Sequence, residues 1–357
     1  MSGFWYLAFV AQLCCSLNWI AWNERRKAVP MPNDVVQNIK TSIGTRAEEL
    51  FTNILHRVDS FHIPGYGVFY WGWHISDCNG LQDKIWKGSN GRDLGHVIEN
   101  DILRLVGTGA FKNGGVSIDV GAHTGDSTLP MAILSNMTIA FDPGSSVFPI
   151  LEANALLNSD RNIHAHNLAV GDHDGDIKFQ YDGENRGIFQ CNGGIAGRED
   201  RVTESAWVTK KMVNLEPFLL KTYGADTIRK IVYIKTDAEG YDSTILHLIH
   251  QTIIKKYDIH PTIQVEWFRP FSRGDDAGVL PTGGSSDLFQ IIYELIQQYN
   301  YIAHCTGQCN SPKRQCHRQL YPLTVSENNG TISVLCPDRP NVVNSDACDD
   351  ILLIPKR

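Results

Sequence analysis

Apolar and polar residues follow two different rhythms along this chain, and together they predict an α/β fold. Short runs that are apolar throughout predict strands buried on both faces, whereas apolar residues at every third or fourth position predict helices. The predicted strands cover residues 116–120, 137–141, 163–168, 207–213, 231–234, 263–267, 301–305, 320–325, 331–335 and 350–355. The predicted helices cover residues 35–58, 94–105, 127–134, 147–157, 243–254 and 288–295. Strands that alternate with helices favour a mainly parallel sheet with helices on both faces.

The stretch Ser117–Thr128, S-I-D-V-G-A-H-T-G-D-S-T, reads as a strand, a glycine turn and a helix start. Small residues such as Gly121 and Gly125 let a ligand approach the backbone, and the helix start offers unpaired N–H groups. The spacing Asp-x-Gly-x-x-x-Gly differs from the Gly-x-Gly-x-x-Gly turn that binds a pyrophosphate. It suits S-adenosylmethionine (SAM), because the cationic amino group of SAM can meet Asp119.

Residues at the ends of the next two predicted strands indicate an adenosine-type ligand. Asp142 follows the strand 137–141 and is placed to accept hydrogen bonds from both ribose hydroxyls. Nicotinamide and SAM enzymes share that geometry, so Asp142 identifies the ligand type and not the reaction. Ala169 and Val170 follow the third strand, whose tip borders the adenine ring in such sheets.

A second polar group follows the apolar run that begins at Ile231 in I-V-Y-I-K-T-D-A-E-G-Y-D. It brings Lys235, Asp237 and Glu239 to the carboxyl end of a strand, where ligands bind in open α/β sheets. Glu266 ends the following strand at the same edge. The structural alternative is that Asp237 caps the next helix and Glu239 lies in solvent. Because ionisable side chains are rarely buried for packing alone, we favour the functional interpretation.

In this order the motifs resemble those of the FkbM-type SAM-dependent methyltransferases. The resemblance covers residues 94–355 and rests on four segments: Asp119–Gly125, Phe141–Pro143, Ile234–Gly240 and Ile351–Pro355. It implies a Rossmann-like sheet of seven strands, the last one antiparallel, with helices on both faces. It also implies methylation of an oxygen, often a sugar hydroxyl. The family usually has Asn at the position of His123 and Glu at that of Asp142, and both replacements are polar and compatible with cofactor binding.

We therefore predict a SAM-dependent O-methyltransferase that acts on a small-molecule or glycan hydroxyl. The predicted cofactor-binding residues are Asp119, Gly121, His123, Thr124, Gly125, Asp142, Pro143, Ala169 and Val170. The predicted catalytic residues are Asp237 or Glu239 as general base and Lys235 or His123 to orient it, with His123 itself as another candidate base. No metal site is predicted. Two alternatives remain open: a nicotinamide-dependent oxidoreductase, which lacks its pyrophosphate turn here, and a non-catalytic lumenal interaction protein, which leaves the carboxylates unexplained.

Composition narrows the possible partners of this site and its relation to a membrane. The chain has 357 residues, of which 42% are hydrophobic and 20% charged, as in globular proteins, and its net charge of −7 offers no support for a nucleic-acid partner. The segment Phe4–Trp22 is uncharged and of borderline length for a membrane span. Aromatic residues near its ends favour a membrane anchor over a signal peptide, which would carry a basic start and a small-residue cleavage site.

The cysteines suggest on which side of the membrane the chain lies. Five of the nine are close together near the C-terminus, at Cys305, Cys309, Cys316, Cys336 and Cys348. They lack the paired C-x2-C spacing of a zinc ribbon, so disulfides in an endomembrane lumen or a secreted setting explain them better. The glycosylation sequons at Asn136 and Asn329 agree with this. The basic residues that follow the apolar segment favour the cytosol instead, and we give the cysteines more weight.

Three regions are predicted. Residues 1–23 are a membrane anchor or signal segment, and residues 24–93 are an N-terminal extension, helical and aromatic in character, that packs on the core. Residues 94–357 are the methyltransferase domain, with a cysteine-rich insertion at 305–348. In the extension, glycines alternate with aromatic residues over 61–73, which predicts strand or loop. Its rings either pack the extension onto the sheet or stack on sugars.

Overall fold

The computed structural model describes residues 29–30, 50, 55–63, 65–74, 94–145, 147–181, 193–195, 207–238, 241–266, 285–305, 321–326, 331–334 and 350–356. The chain divides into two compact units, Met1–Glu99 and Asn100–Arg357. The predicted anchor Phe4–Trp22 and most of the cysteine-rich insertion lie outside the described residues. Of the helices that are described, none combines the length and the apolar character that crossing a bilayer requires.

The first unit contains an antiparallel sheet of three strands, β1 (Val29–Pro30), β2 (Leu55–Ile63) and β3 (Gly67–His74). The aromatic and glycine-rich stretch therefore forms strands, with the rings of Phe61 and Phe69 stacked 5.2 Å apart. The helix predicted over residues 35–58 is wrong at its end, because residues 55–58 belong to β2 and pair with β3. Cross-strand pairing of these apolar residues outweighs their helical spacing.

The second unit contains the remaining strands and the α-helices given below, except that the first of these helices begins in the first unit with residues 94–99. Its strands are β4 (Val116–Val120), β5 (Met137–Phe141), β6 (Ile163–His166), β7 (Ala169–Gly171), β8 (Gly175–Tyr181), β9 (Gly193–Ile195), β10 (Trp207–Asn214), β11 (Ile231–Thr236), β12 (Thr262–Glu266), β13 (Tyr301–Cys305), β14 (Tyr321–Ser326), β15 (Thr331–Val334) and β16 (Asp350–Pro355). The α-helices are α1 (Leu94–Gly107), α2 (Thr128–Leu134), α3 (Phe148–Leu157), α4 (Leu215–Tyr223), α5 (Ala225–Ile228), α6 (Asp242–Leu248), α7 (Lys255–Tyr257) and α8 (Ser285–Gln298).

The main sheet has the strand order β15-β14-β13-β16-β12-β11-β4-β5-β6. Neighbouring strands from β12 to β6 run parallel, and β16 runs antiparallel to both β12 and β13. The seven strands from β13 to β6 thus form the predicted sheet, and β16 is its reversed last strand. This prediction is confirmed. The predicted hairpin of β14 and β15 is also confirmed, and it extends the sheet beyond β13.

Three local predictions need correction. The third strand ends at His166 and not at Leu168, and the chain continues through β7 into a separate sheet of order β7-β10-β8-β9. Neither predicted serine cap begins α3, which starts after Val147 without a side-chain cap. The helix predicted over 243–254 is α6 followed by a π-helix, Ile249–Ile254.

The core explains why polar side chains collect at one edge of the main sheet. Every residue of β4 is buried, and apolar residues from β4, β5, β11, β12 and β16 form one hydrophobic cluster with residues of α4, α6 and α8. Polar groups are expensive to bury within such a cluster. The carboxyl ends of the parallel strands are therefore where charged side chains can reach a ligand.

Candidate functional site

The site begins where the loops after β4 and β11 touch through their backbones. Asp237 donates its N–H to the carbonyl of Val120 at 3.0 Å, and Gly121 donates its N–H to the carbonyl of Phe141 at 2.9 Å. Gly121 has φ +76°, and a Cβ placed on it would lie 1.8 Å from the carbonyl oxygen of Asp237. Only glycine fits this approach, because the space is missing and the dihedral angle is strained for other residues.

We expect Gly121→Ala to destabilise the chain and to abolish cofactor binding, because the loop after β4 must move away from Asp237. Gly224→Ala is the matched control, since Gly224 also has a positive φ, +84°, but a Cβ there meets no atom within 4 Å. Gly224→Ala should lower the free energy of unfolding only through the backbone strain that it introduces, by about 1–3 kcal/mol. Thermal unfolding and titration with S-adenosylhomocysteine (SAH) measure both effects. Equal losses of stability and unchanged SAH affinity in the two variants would contradict this role of Gly121.

The turn after Gly121 is rigid and buried. His123 adopts φ +51° and Gly125 φ +98°, both in the left-handed region. Thr124 is buried, and its carbonyl accepts a hydrogen bond of 2.8 Å from the side-chain amide of Asn154 in α3. The turn therefore presents its backbone in one fixed conformation, as a ligand-binding loop requires.

Asp142 is held at the end of β5 by two backbone groups. Its Oδ2 accepts the N–H of His123 at 2.8 Å, and its Oδ1 accepts the N–H of Gly144 at 2.7 Å. Burial raises the pKa of Asp142 to about 6, although these two hydrogen bonds act in the opposite direction. Each carboxylate oxygen keeps a further lone pair for a ligand. Pro143, the next residue, lies in the same loop.

Asp119 lies beneath the turn, and none of its surface is exposed. Its Oδ2 accepts hydrogen bonds from Ser127 at 2.8 Å and Thr128 at 2.7 Å, at the start of α2. Its Oδ1 is buried and has no hydrogen-bond donor among the described residues, and the Lys235 ammonium lies 3.9 Å from it. Asp119 thus places a carboxylate beneath the turn, and it fixes the start of α2 through the hydrogen bonds from Ser127 and Thr128.

Lys235 and Asp237 form the polar centre of the edge. The Lys235 ammonium donates to Oδ2 of Asp237 at 3.0 Å. The side chain of Lys235 is 10% exposed and that of Asp237 is 39% exposed. Although burial alone would lower it, the pKa of Lys235 is raised well above its usual value by Asp237 and Asp119. Burial raises the pKa of Asp237, but Lys235 outweighs this and holds it below the usual range.

Three further acidic residues lie here: sequence reasoning missed Asp126 and Asp350, and it placed Glu266 at this edge without giving it a role. Asp126 follows the second glycine of the turn, and Asp350 opens β16, where its Oδ2 accepts a 2.6 Å hydrogen bond from Gln264. Glu266 ends β12, and its side chain contributes to lowering the pKa of Asp237. Asp126 and Asp350 both act electrostatically on Lys235, and burial raises the pKa of each. An acidic residue next to a motif residue is the signal that could have identified Asp126.

The remaining predicted residues have different positions. Glu239 lies outside the described residues. Ala169 and Val170 belong to β7 and not to the tip of the third strand, which ends at His166. Val170 packs into the main hydrophobic cluster and Ala169 packs against Met212, so their side chains face protein.

The chain was compared with known families. The model of the methyltransferase FkbM domain matches residues 119–303, which include the turn after β4, Asp142, Lys235 and Asp237. The chain belongs to the FkbM methyltransferase family. The predicted enzyme class is thereby confirmed, and the oxidoreductase and non-catalytic alternatives give way to a SAM-dependent methyltransferase. No curated protein matches this methyltransferase.

Several solved structures are distantly similar to the methyltransferase. An O-methyltransferase from Bacillus cereus in complex with SAH has a TM-score of 0.35 at 10% identity, over 72% of this chain and 80% of that one. The plantazolicin methyltransferase BpumL in complex with SAH has a TM-score of 0.35 at 9% identity, over 91% and 99%. These TM-scores correspond to a remote likeness only. The fold is therefore assigned from the strand order of the main sheet.

The residues of the methyltransferase fit its cofactor, SAM. A rigid turn with three left-handed residues allows close approach at the end of β4, and Asp142 stands at the end of β5 where ribose hydroxyls are bound in such sheets. Four carboxyl groups, Asp237, Asp119, Asp350 and Asp126, surround the single ammonium of Lys235. The edge therefore carries surplus negative charge, which complements the sulfonium and amino groups of SAM.

Proposed function

We propose that the methyltransferase transfers the methyl group of SAM to a hydroxyl oxygen of a sugar or glycan. The observation that carries this proposal is the half-exposed carboxylate of Asp237, which a buried ammonium holds at the edge where the cofactor binds. A hydroxyl must lose its proton as it attacks, whereas a free amine can attack through its lone pair. A fixed carboxylate at the mouth of the site supports an oxygen acceptor for this reason.

In this proposal the cofactor lies across the ends of β4 and β5. Asp142 accepts hydrogen bonds from the ribose, since its two oxygens are oriented by the N–H groups of His123 and Gly144. The turn from Gly121 to Gly125 faces the methionine part. Asp119 acts on the amino group through its charge and through the helix start, because its carboxylate is buried under the turn.

The chemistry of the step divides between cofactor and protein. SAM supplies a methyl group that its sulfonium already activates. The protein holds the acceptor oxygen in line, which contributes about 7–11 kcal/mol in well-oriented reactions. Asp237 takes the proton of the attacking hydroxyl. Lys235 stays protonated and is therefore a positioning residue, which fixes Asp237 through the 3.0 Å hydrogen bond. By its sequence position Glu239 remains a second candidate base.

We expect the affinity for SAH to depend on pH through Asp142. Its pKa of about 6 means that the carboxylate is ionised above pH 6 and becomes protonated below it. Ribose hydroxyls donate hydrogen bonds to the ionised form, so affinity should be constant above pH 7 and fall up to about tenfold per unit below pH 6. Calorimetric titration from pH 5 to pH 8 measures this. Asp142→Asn should bind more weakly without the decline, and a parallel decline in that variant would contradict the role of Asp142.

The proposed reaction is tested by following the formation of SAH with a panel of sugars and glycans. The panel pairs neutral sugars with the matching uronic acids, because the negative edge should disfavour anionic acceptors. The expected product is a methyl ether, identified by mass spectrometry and NMR. Turnover only with amines would refute an oxygen acceptor, and turnover only with carboxylic acids would refute a hydroxyl acceptor. Either result would leave the methyltransferase assignment intact.

We further propose that Phe4–Trp22 attaches the chain to a membrane. The catalytic part then lies in the lumen or is secreted. The clustered cysteines and the two sequons support it. Asn136 is exposed and lies directly before β5. In a secretory cell line, an endoglycosidase should increase the gel mobility of the protein, and Asn136→Gln with Asn329→Gln should remove that increase. Unglycosylated protein accessible to protease from the cytosolic side would favour the opposite orientation.

A further inference from the structure

Glu266 has no role in the scheme above, although the topology places it beside the proposed base. In the parallel pairing of β11 and β12, Thr236 is opposite Val265. The next residues along the two strands, Asp237 and Glu266, therefore leave the sheet side by side at the same edge. The Glu266 side chain is close enough to Asp237 to contribute to lowering the pKa of that carboxyl group. One carboxyl oxygen of Glu266 is inaccessible to solvent, so the pair is partly desolvated.

We propose that Asp237 and Glu266 act as one unit, and that the proton of the attacking hydroxyl is taken up by this carboxylate pair and shared between the two residues. This inference rests on the proposed role of Asp237 as the base. In the step, the O–H bond breaks and the oxygen forms a bond to the methyl carbon of SAM. The C–S bond breaks with its electron pair on sulfur, which gives SAH, and the proton is held between the two carboxylates.

The physical reason is that Asp237 alone would be a weak base. Lys235 holds the pKa of Asp237 below the usual range despite its burial, and a carboxyl group with a lowered pKa takes a proton less readily. Two carboxylates within hydrogen-bonding distance repel each other when both are ionised. The first proton to arrive relieves that repulsion, so the pair binds it more tightly than either residue alone.

The charged surroundings support a pair that holds one proton. Lys235 faces the pair from β11 and His123 faces it from the turn after β4. Asp350 faces it from β16, directly opposite Glu266 in the antiparallel register. Asp119 and Asp126 add negative charge behind Lys235. Carboxylates thus outnumber the cations around the pair, which favours the uptake of a proton.

The test is the pH profile of kcat for Glu266→Gln. The amide keeps the shape and a hydrogen bond but removes the second negative charge. We expect kcat to fall by about 10²-fold, and the midpoint of its pH dependence to move to lower pH by about one unit. SAH affinity and the thermal midpoint should stay unchanged. Glu266→Asp keeps the charge and should restore the wild-type midpoint in part, which a merely structural role would not produce.

The outcomes separate the inference from the proposed function. If Asp237→Asn is inactive while Glu266→Gln keeps the wild-type kcat and pH midpoint, the shared proton is refuted and the base stands. If Asp237→Asn is fully active, the base assignment fails and the pair fails with it. If Glu266→Gln does not fold, kcat and its pH midpoint are measured in Glu266→Ala, which also removes the charge; wild-type values of both would overturn the inference.

Discussion

Asp237→Asn lowers the turnover of methyl transfer by about 10²–10⁴-fold, the usual contribution of a general base. The amide cannot take the proton of the attacking hydroxyl, and it also ends the proton sharing with Glu266. SAH should still bind with wild-type affinity, because the proposed cofactor contacts lie at the ends of β4 and β5. Initial rates at saturating SAM, combined with SAH titration, measure the two effects separately.

A matched control separates the loss of a base from the loss of any carboxylate. Asp226 lies in α5 with its side chain 92% exposed, so Asp226→Asn should retain wild-type turnover. Full turnover in Asp237→Asn, with SAH binding intact, would show that another group takes the proton. Glu239→Gln would then be the next variant to measure.

Lys235→Met should lower the free energy of unfolding by about 3–5 kcal/mol, the typical cost of removing one partner of a buried ion pair. Lys235 is almost completely buried, and its ammonium is the cation nearest to Oδ1 of Asp119 at 3.9 Å. Without it the buried Asp119 carboxylate keeps the hydrogen bonds from Ser127 and Thr128 to Oδ2 but loses its nearby positive charge. Chemical denaturation measures the change.

Two variants make the Lys235 prediction specific. Lys211→Met removes an exposed lysine that pairs with Asp176 at 2.6 Å, and it should cost at most about 1 kcal/mol. The double variant Asp119→Asn with Lys235→Met should recover part of the lost stability, because the buried charge is gone. A double variant that is less stable than Lys235→Met alone would contradict the pairing.

The predicted position of the site depends on a general property of parallel sheets. Asp119, Asp142 and Asp237 each come at the end of an apolar run, and strands that run parallel bring such ends to one edge. The reversed last strand came from the family resemblance of Ile351–Pro355. These inferences need only the order of the strands, and the strand order is what the structure confirms.

The sequence did not predict how deeply each side chain is buried or which residues it contacts, because both depend on contacts between distant parts of the chain. Asp119 was expected to meet the amino group of SAM, but Lys235 and the start of α2 enclose its carboxylate. Asp350 reaches the site only because β16 inserts beside β12. Ala169 was placed at a strand tip because no pattern in the sequence reveals that the chain leaves the main sheet after His166.

The central claim is that SAM binds across the ends of β4 and β5, and calorimetric titration of SAH into the wild type and Asp142→Ala tests it most directly. The claim predicts one SAH per chain, at least tenfold weaker binding by Asp142→Ala, about 1.4 kcal/mol or more, and no displacement by NADH. Binding of equal strength in both proteins, or the absence of SAH binding by the folded wild type, would contradict it.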